Sequence, residues 1–381
     1  MQRKLSSLFF STARKVARLQ RSAWRLGMPF TGLAGGIAKQ AKPARRAKAK
    51  PAAPAMVAAR RRGLAPTAPY TPDPSAFAGT WRGHVYRTPP LPGAWPVRLS
   101  YFVYTPPGLR KGSPMLVMLH GCEQSALDFA CGTRMHRLAD REGFLLVYPQ
   151  QSQRGQRHRC WHWYQPDAAH GYAEADAIAG IVRETAIDHQ VDTRRIYIAG
   201  LSAGASMAAL VALRHPEWIA ALGMHSGAVL GSAQNASEGL RAMRYGAARP
   251  PAQAMPSLVP EDAAFPGLPA IILHGERDAV VDPRSGTQLM EQLAWVNGVP
   301  LDRAAPAQHY AAGTVRAYTR TDLPAGRSPM VTLCEIPGLG HAWSGGDGRI
   351  RFHSRQGPDA SLLMWRFFKT RRREPQPGID D

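Results

Sequence analysis

The chain has 381 residues, 44% of them hydrophobic, with 36 glycines, 33 prolines and no internal repeat, which excludes a collagen-like or solenoid protein and fits one large domain or two ordinary ones. The formal charge of +21 is lopsided, since residues 1–72 hold 16 Lys and Arg and no acid; only +5 is left for the remainder, which argues against a nucleic-acid-binding body. Four cysteines (Cys122, Cys131, Cys160, Cys334) are too few for a disulfide scaffold, and their spacing fits no zinc pattern.

Residues 1–27 read as a basic amphipathic helix. Leu5, Leu8, Phe9, Val16, Leu19 and Leu26 recur at helical spacing among Arg14, Lys15, Arg18, Arg21 and Arg25. The early charges break the apolar stretch that a signal peptide needs, and the segment is too polar to span a bilayer. An arm over 1–38 is therefore expected to rest on a granule or membrane surface. It is followed by an Ala/Pro/Lys/Arg-rich linker over 39–76, which cannot bury a core. The body is expected over 77–372, with a polar tail over 373–381.

The body opens with strands over 81–86 and 97–104. Continuous apolar runs follow at 115–119, 144–148, 195–199 and 270–273, with a further strand over 331–333. Such runs are strands buried on both faces. Helical patterns at 172–188 and 203–214 lie between them, and a last helix covers about 358–369. Strands alternating with helices predict an α/β fold around a mostly parallel sheet, with helices on both faces.

The sharpest motif is Gly200-Leu201-Ser202-Ala203-Gly204, set between a strand and a helix. A strand that turns abruptly into a helix leaves space only for small residues beside the serine, and it lifts the hydroxyl above the sheet edge. Ser202 is the expected nucleophile. A serine hydroxyl needs a base, and His341 in the loop Gly338-Leu339-Gly340-His341-Ala342-Trp343 is the choice among 13 histidines. His215 sits at the far end of the helix, while His225 and His120 read as structural. Asp278, just past the strand at 270–273, is expected to orient the base, with Asp282 as the alternative. The order Ser, Asp, His follows. Oxyanion donors are expected from the Ala203 N–H and from the Cys122 N–H in the loop after 115–119.

Taken together, Leu119-His120-Gly121-Cys122-Glu123-Gln124, Cys160-Trp161-His162-Trp163-Tyr164, Gly200 to Ala205, His274 to Asp278 and Gly340-His341-Ala342-Trp343 closely resemble the polyhydroxybutyrate (PHB) depolymerase-like esterases. These sit beside feruloyl and acetyl xylan esterases of the α/β-hydrolase fold. The resemblance covers about 95–345 and leaves out the arm. It implies a Ser202–Asp278–His341 triad, a Cys122–Cys160 bridge, and a substrate cleft bordered by Trp161, Trp163 and Trp343. It further implies a secreted or periplasmic carboxylic ester hydrolase acting on 3-hydroxyalkanoate esters or polyester, with no cofactor or metal. A carbohydrate esterase, or a peptidase on the same fold, is the alternative substrate reading, and a cytoplasmic granule-bound enzyme the alternative location. His162 stands where the common motif has Asn.

Overall fold

The computed structural model describes residues 71–89, 97–167, 169–259, 265–326 and 328–376. The arm, most of the linker and the last five residues of the tail lie outside the described residues.

Among the described residues ten strands form one sheet: β1 (Thr80–Arg87), β2 (Arg98–Thr105), β3 (Met115–Leu119), β4 (Leu145–Gln150), β5 (Ile196–Leu201), β6 (Ala221–His225), β7 (Ala270–Gly275), β8 (Gln308–Tyr310), β9 (Tyr318–Ala325) and β10 (Ser328–Ile336). Their order is β1-β2-β4-β3-β5-β6-β7-β10-β9-β8. The central six, from β4 to β10, run parallel, and the two strands at each edge pair antiparallel. Among the described residues there are seven α-helices: α1 (Ala126–Thr133), α2 (Met135–Glu142), α3 (Gly171–Asp188), α4 (Ala203–Arg214), α5 (Ala236–Tyr245), α6 (Arg284–Val296) and α7 (Ala360–Phe368).

The apolar runs are buried on both faces because successive side chains alternate across the sheet. Met115, Val117 and Leu119 of β3 join a core with α3, α4 and α6. Leu116 and Met118 join a second core with α1, α2 and α7. β5 and β7 divide in the same way, Ile198 and Ile272 to the first core, Tyr197 and Ile271 to the second. On the second face α7 is held by aromatic stacking, Trp365 on Phe144 at 3.8 Å and Phe368 on Tyr197 at 5.2 Å between ring centroids.

After β3 the chain adds β4 on one side and then crosses to add β5 on the other. The direction of winding thus reverses between β3 and β5. At such a switch point the loops leaving the two carboxyl ends diverge and open a crevice, the usual ligand position in open α/β sheets. Here those loops are His120 to Gln124 and the turn at Ser202. The sequence reading assigned neither β6, β8 and β9 nor the helices α1, α2, α5 and α6.

Candidate active site

Ser202 stands between β5 and α4 with φ 58° and ψ −123°, a conformation that L-residues seldom adopt. It occupies the N-cap position of α4, yet its side chain makes no capping bond. A serine there would ordinarily turn its hydroxyl back onto the helix amides; the strained backbone turns it away instead. The two flanking glycines are needed for close approach. A Cβ on Gly200 would strike Gly204 O, and one on Gly204 would strike Leu119 O and His120 O. Backbone bonds hold the turn: Ser202 N–H donates to His225 O at 2.8 Å, and the Ala205 and Ser206 amides donate to Ser202 O.

Asp278 follows β7 and is 4% exposed. Its Oδ1 accepts the amides of Val280 and Val281, each at 2.9 Å. Its Oδ2 accepts from His341 Nδ1 at 2.7 Å. Burial alone would raise this carboxyl, but the charge and hydrogen bond of His341, with His274 and the Val281 amide, outweigh it and hold the group down to about 2. Asp278 is therefore a fixed anion that aims His341 through Nδ1. Asp282 instead bonds the Arg284 amide and guanidinium at the start of α6 and makes no bond to His341 among the described residues.

The turn at Ser202 and the segment after His341 both bond to His225 at the end of β6. His225 is fully buried, accepts the Ser344 amide on Nε2 at 3.1 Å, and stacks on Trp343. Burial drives its imidazole down to about 3, so it stays neutral. Among the described residues Ser202 Oγ and His341 Nε2 hold no hydrogen-bond partner. Base–nucleophile contacts are commonly loose before substrate arrives.

In the loop after β3, a Cβ on Gly121 would lie 3.6 Å from Ser202 Cβ, so this loop borders the serine directly. The Gly121 N–H is taken by Gln124 Oε1 at 2.9 Å, and the Glu123 N–H by His158 O at 2.7 Å. Between them, the Cys122 N–H donates to no group among the described residues. Ala203 N–H, at the first position of α4, is likewise outside the helix ladder. Cys122 is bridged to Cys160, Cα to Cα 4.4 Å, while Cys131 and Cys334 are free and buried.

Residues 99–317, over half of the chain, match the Esterase PHB depolymerase family. The chain belongs to this family. It is 28% identical over 252 residues to a poly(3-hydroxyalkanoate) depolymerase C from Paucimonas lemoignei, covering 65% of this chain and 59% of the relative. It is 29% identical over 218 residues to a feruloyl esterase B from Thermothelomyces thermophilus, covering 54% of this chain and 73% of that one. A probable acetylxylan esterase A from Neosartorya fischeri is 27% identical, with 54% and 58% covered. The chain thus spans under two thirds of the length of the depolymerase and the acetylxylan esterase. Among solved structures, an acetyl xylan esterase from Aspergillus awamori superposes with a TM-score of 0.55 at 19% identity, over 64% of this chain and 89% of that one. That likeness bears on the fold, and the mostly parallel sheet is that of the α/β-hydrolases.

The three tryptophans expected along the cleft need correction. Trp161 and Trp343 are fully buried and Trp163 is 4% exposed, so they present almost no ring surface to a ligand. Trp161 Nε1 donates to His120 O at 3.0 Å, and Trp343 Nε1 donates to Ser361 Oγ at 3.2 Å. Aromatic rings bury large area, and here that area supports the loops from beneath. His162, at the position where this family's common motif has Asn, donates from Nδ1 to Glu174 Oε1 at 2.6 Å and from its amide to Glu174 Oε2 at 2.8 Å. Burial works against the charged imidazole, but Glu174 prevails and raises it. Gln151 joins the same carboxylate at 2.5 Å. Sequence reasoning missed Glu174, Gln151 and His274, whose Nε2 is 3.7 Å from Asp278 Oδ2. Only tertiary packing brings the first two to the Cys160 loop, so no local motif marks them.

Proposed function

We propose that this chain is a serine carboxylic ester hydrolase, with Ser202 as nucleophile, His341 as base and Asp278 as the group that orients the base. The observations that carry this reading are the buried Asp278 carboxylate bonded to His341 Nδ1 and a serine whose strained backbone leaves its side chain out of the helix cap. Ser202 Oγ attacks the ester carbonyl carbon while its proton passes to His341 Nε2. The oxyanion so formed is met by the Cys122 and Ala203 amides. Collapse expels the alcohol, which takes the proton from His341 and leaves an acyl-Ser202 ester. A water then gives its proton to His341 and attacks the acyl carbon, and collapse releases the acid and returns the proton to Ser202. The histidine must be neutral to accept the serine proton.

The substrate class proposed is 3-hydroxyalkanoate esters or polyester, supported by the match to the depolymerase family. A carbohydrate-ester reading is favoured by one specific observation, the 73% coverage of the feruloyl esterase. The test is hydrolysis of 3-hydroxybutyrate oligomers and polyester granules against acetylated xylan and feruloylated arabinoxylan, with Ser202→Ala as control. Hydroxyacid release supports the first reading; acetate or ferulate release alone replaces it with the second. Disulfides persist in oxidising compartments, so the Cys122–Cys160 bridge supports an extracellular or periplasmic site. The basic arm, read from sequence only, would hold the enzyme at an apolar or anionic surface. Equal sedimentation with granules by the full chain and a form starting at Phe77 would end that idea.

A further inference from the structure

His120 and Gln124 bracket the loop beside Ser202, and both side chains are buried. His120 is fully buried at the carboxyl end of β3. Its Nε2 lies 3.2 Å from the Gln151 backbone nitrogen, which can only donate, so Nε2 carries no proton. The proton is therefore on Nδ1, which lies 2.8 Å from Gly121 O, an atom that can only accept. One neutral tautomer satisfies both contacts, and burial favours it by pushing the imidazole down to about 4.

Gly121 O belongs to the same peptide unit as the Cys122 N–H. A peptide unit is planar and trans, so fixing the direction of its carbonyl fixes its N–H in the opposite direction. His120 grips that carbonyl, and the Gln124 amide approaches it from the other end of the turn at 3.3 Å. The preceding unit is held as well, since Gly121 N–H donates to Gln124 Oε1 at 2.9 Å. Gln124 Nε2 in turn donates to Arg351 O at 3.2 Å, on the segment that follows His341. Both peptide planes flanking Gly121 are thus pinned by side chains, and the Cys122 N–H is left without an acceptor among the described residues.

We propose that His120 and Gln124 are positioning residues of the oxyanion site, holding the Gly121–Cys122 peptide plane so that the Cys122 N–H faces the oxygen of the carbonyl attacked by Ser202. This rests on the esterase reading above. Oxyanion donors act by being pre-aimed, so a plane free to rock loses transition-state stabilisation while ground-state binding persists.

The test compares His120→Asn with His120→Gln. An Asn amide reaches the place of Nδ1 and can still donate to Gly121 O; a Gln amide reaches the place of Nε2 and cannot. Both are assayed with the full chain on a soluble p-nitrophenyl ester, together with inhibition by an alkylboronic acid, whose adduct on serine places an oxygen in the oxyanion site. His120→Gln is expected to lower kcat about 10²-fold, with KM within about twofold and boronate affinity falling in parallel, while His120→Asn recovers most of the loss. A role confined to packing would lower the melting temperature of both variants without splitting kcat from KM or Asn from Gln. Equal kcat for the two, at the wild-type value, overturns the proposal. Should His120→Gln fail to fold, Gln124→Met decides: it removes the acceptor for the Gly121 N–H and should lower kcat about tenfold, and an unchanged kcat overturns the proposal. If the wild-type chain hydrolyses no ester, the esterase reading itself has failed; if it does and the variants match it, only the positioning roles have.

Discussion

Replacing Asp278 by Asn changes one atom, and the surrounding bonds determine which way the new amide points. Oδ1 of Asp278 accepts two backbone amides, Val280 and Val281, each at 2.9 Å. The Asn oxygen must keep that place, because turning the NH2 group toward two N–H donors would strand both. An unsatisfied buried donor costs about 1–3 kcal/mol, so the flipped amide is disfavoured by roughly 2–6 kcal/mol, about 30-fold or more. The Asn NH2 therefore faces His341 Nδ1, 2.7 Å from where Oδ2 was. Nδ1 must then accept, the ring proton moves to Nε2, and Nε2 can no longer take a proton from Ser202. A wrong-tautomer loss of this kind reaches about 10⁴ in kcat in a serine protease, and about 10²–10⁴ is expected here. The fold should survive, since the two amides keep their acceptor. The assay is kcat on a soluble p-nitrophenyl ester with circular dichroism as the fold control, and Asp282→Asn measured alongside. Asp282 pairs with an exposed arginine, so its variant should stay within about threefold of wild type. Near-normal turnover in Asp278→Asn, with loss in Asp282→Asn, would refute the assignment.

Three other outcomes follow from the packing and the charges. Gly204→Ala drives a methyl into Leu119 O and His120 O, backbone atoms that cannot swing aside, so it should cost more than about 3 kcal/mol by denaturant unfolding and lower activity. Reducing the Cys122–Cys160 bridge opens a crosslink between residues 38 apart, worth about 4 kcal/mol by chain entropy, so dithiothreitol should lower the melting temperature and loosen the loop carrying the Cys122 amide. Burial holds His120, His136 and His353 down to about 4 and His225 to about 3, so they stay neutral when folded and take up protons when unfolded. The stability these four groups contribute is then full above pH 6.5 and falls as pH drops toward 4, by up to about 3 kcal/mol for each, while His162, raised by Glu174, works in the opposite direction. The lowered Asp278 adds a further loss only below pH 4, as pH approaches 2. Urea titrations at pH 7.5, 5.5 and 4.5 check this, and a flat profile contradicts it.

The centre of the sheet was legible because β3, β5 and β7 are buried on both faces and read as unbroken apolar runs. The edge strands β8 and β9 were not, since Tyr318–Ala325 is only partly buried and carries Arg320, Asp322 and Pro324 within the strand. β6 is as long and as buried as β3, but Gly223 and His225 interrupt its apolar run. At the site, the glycine spacing marked Ser202 because the backbone approach requires it. The contact between Asp278 and His341, 63 residues apart, came from chain order and strand ends rather than from any local pattern. The tryptophans misled because an aromatic cluster beside a cleft serves packing as readily as binding. Their burial depends on contacts with Ser361 and His120 that the local sequence does not announce.

The central claim is that Ser202 is the nucleophile. It is tested most directly by treating the full chain with a serine-directed phosphonate and locating the adduct by peptide mass spectrometry. The account predicts a single adduct on Ser202, loss of ester hydrolysis in step with labelling, and no adduct on Ser202→Ala. An adduct on another serine, with hydrolysis retained in Ser202→Ala, would contradict it.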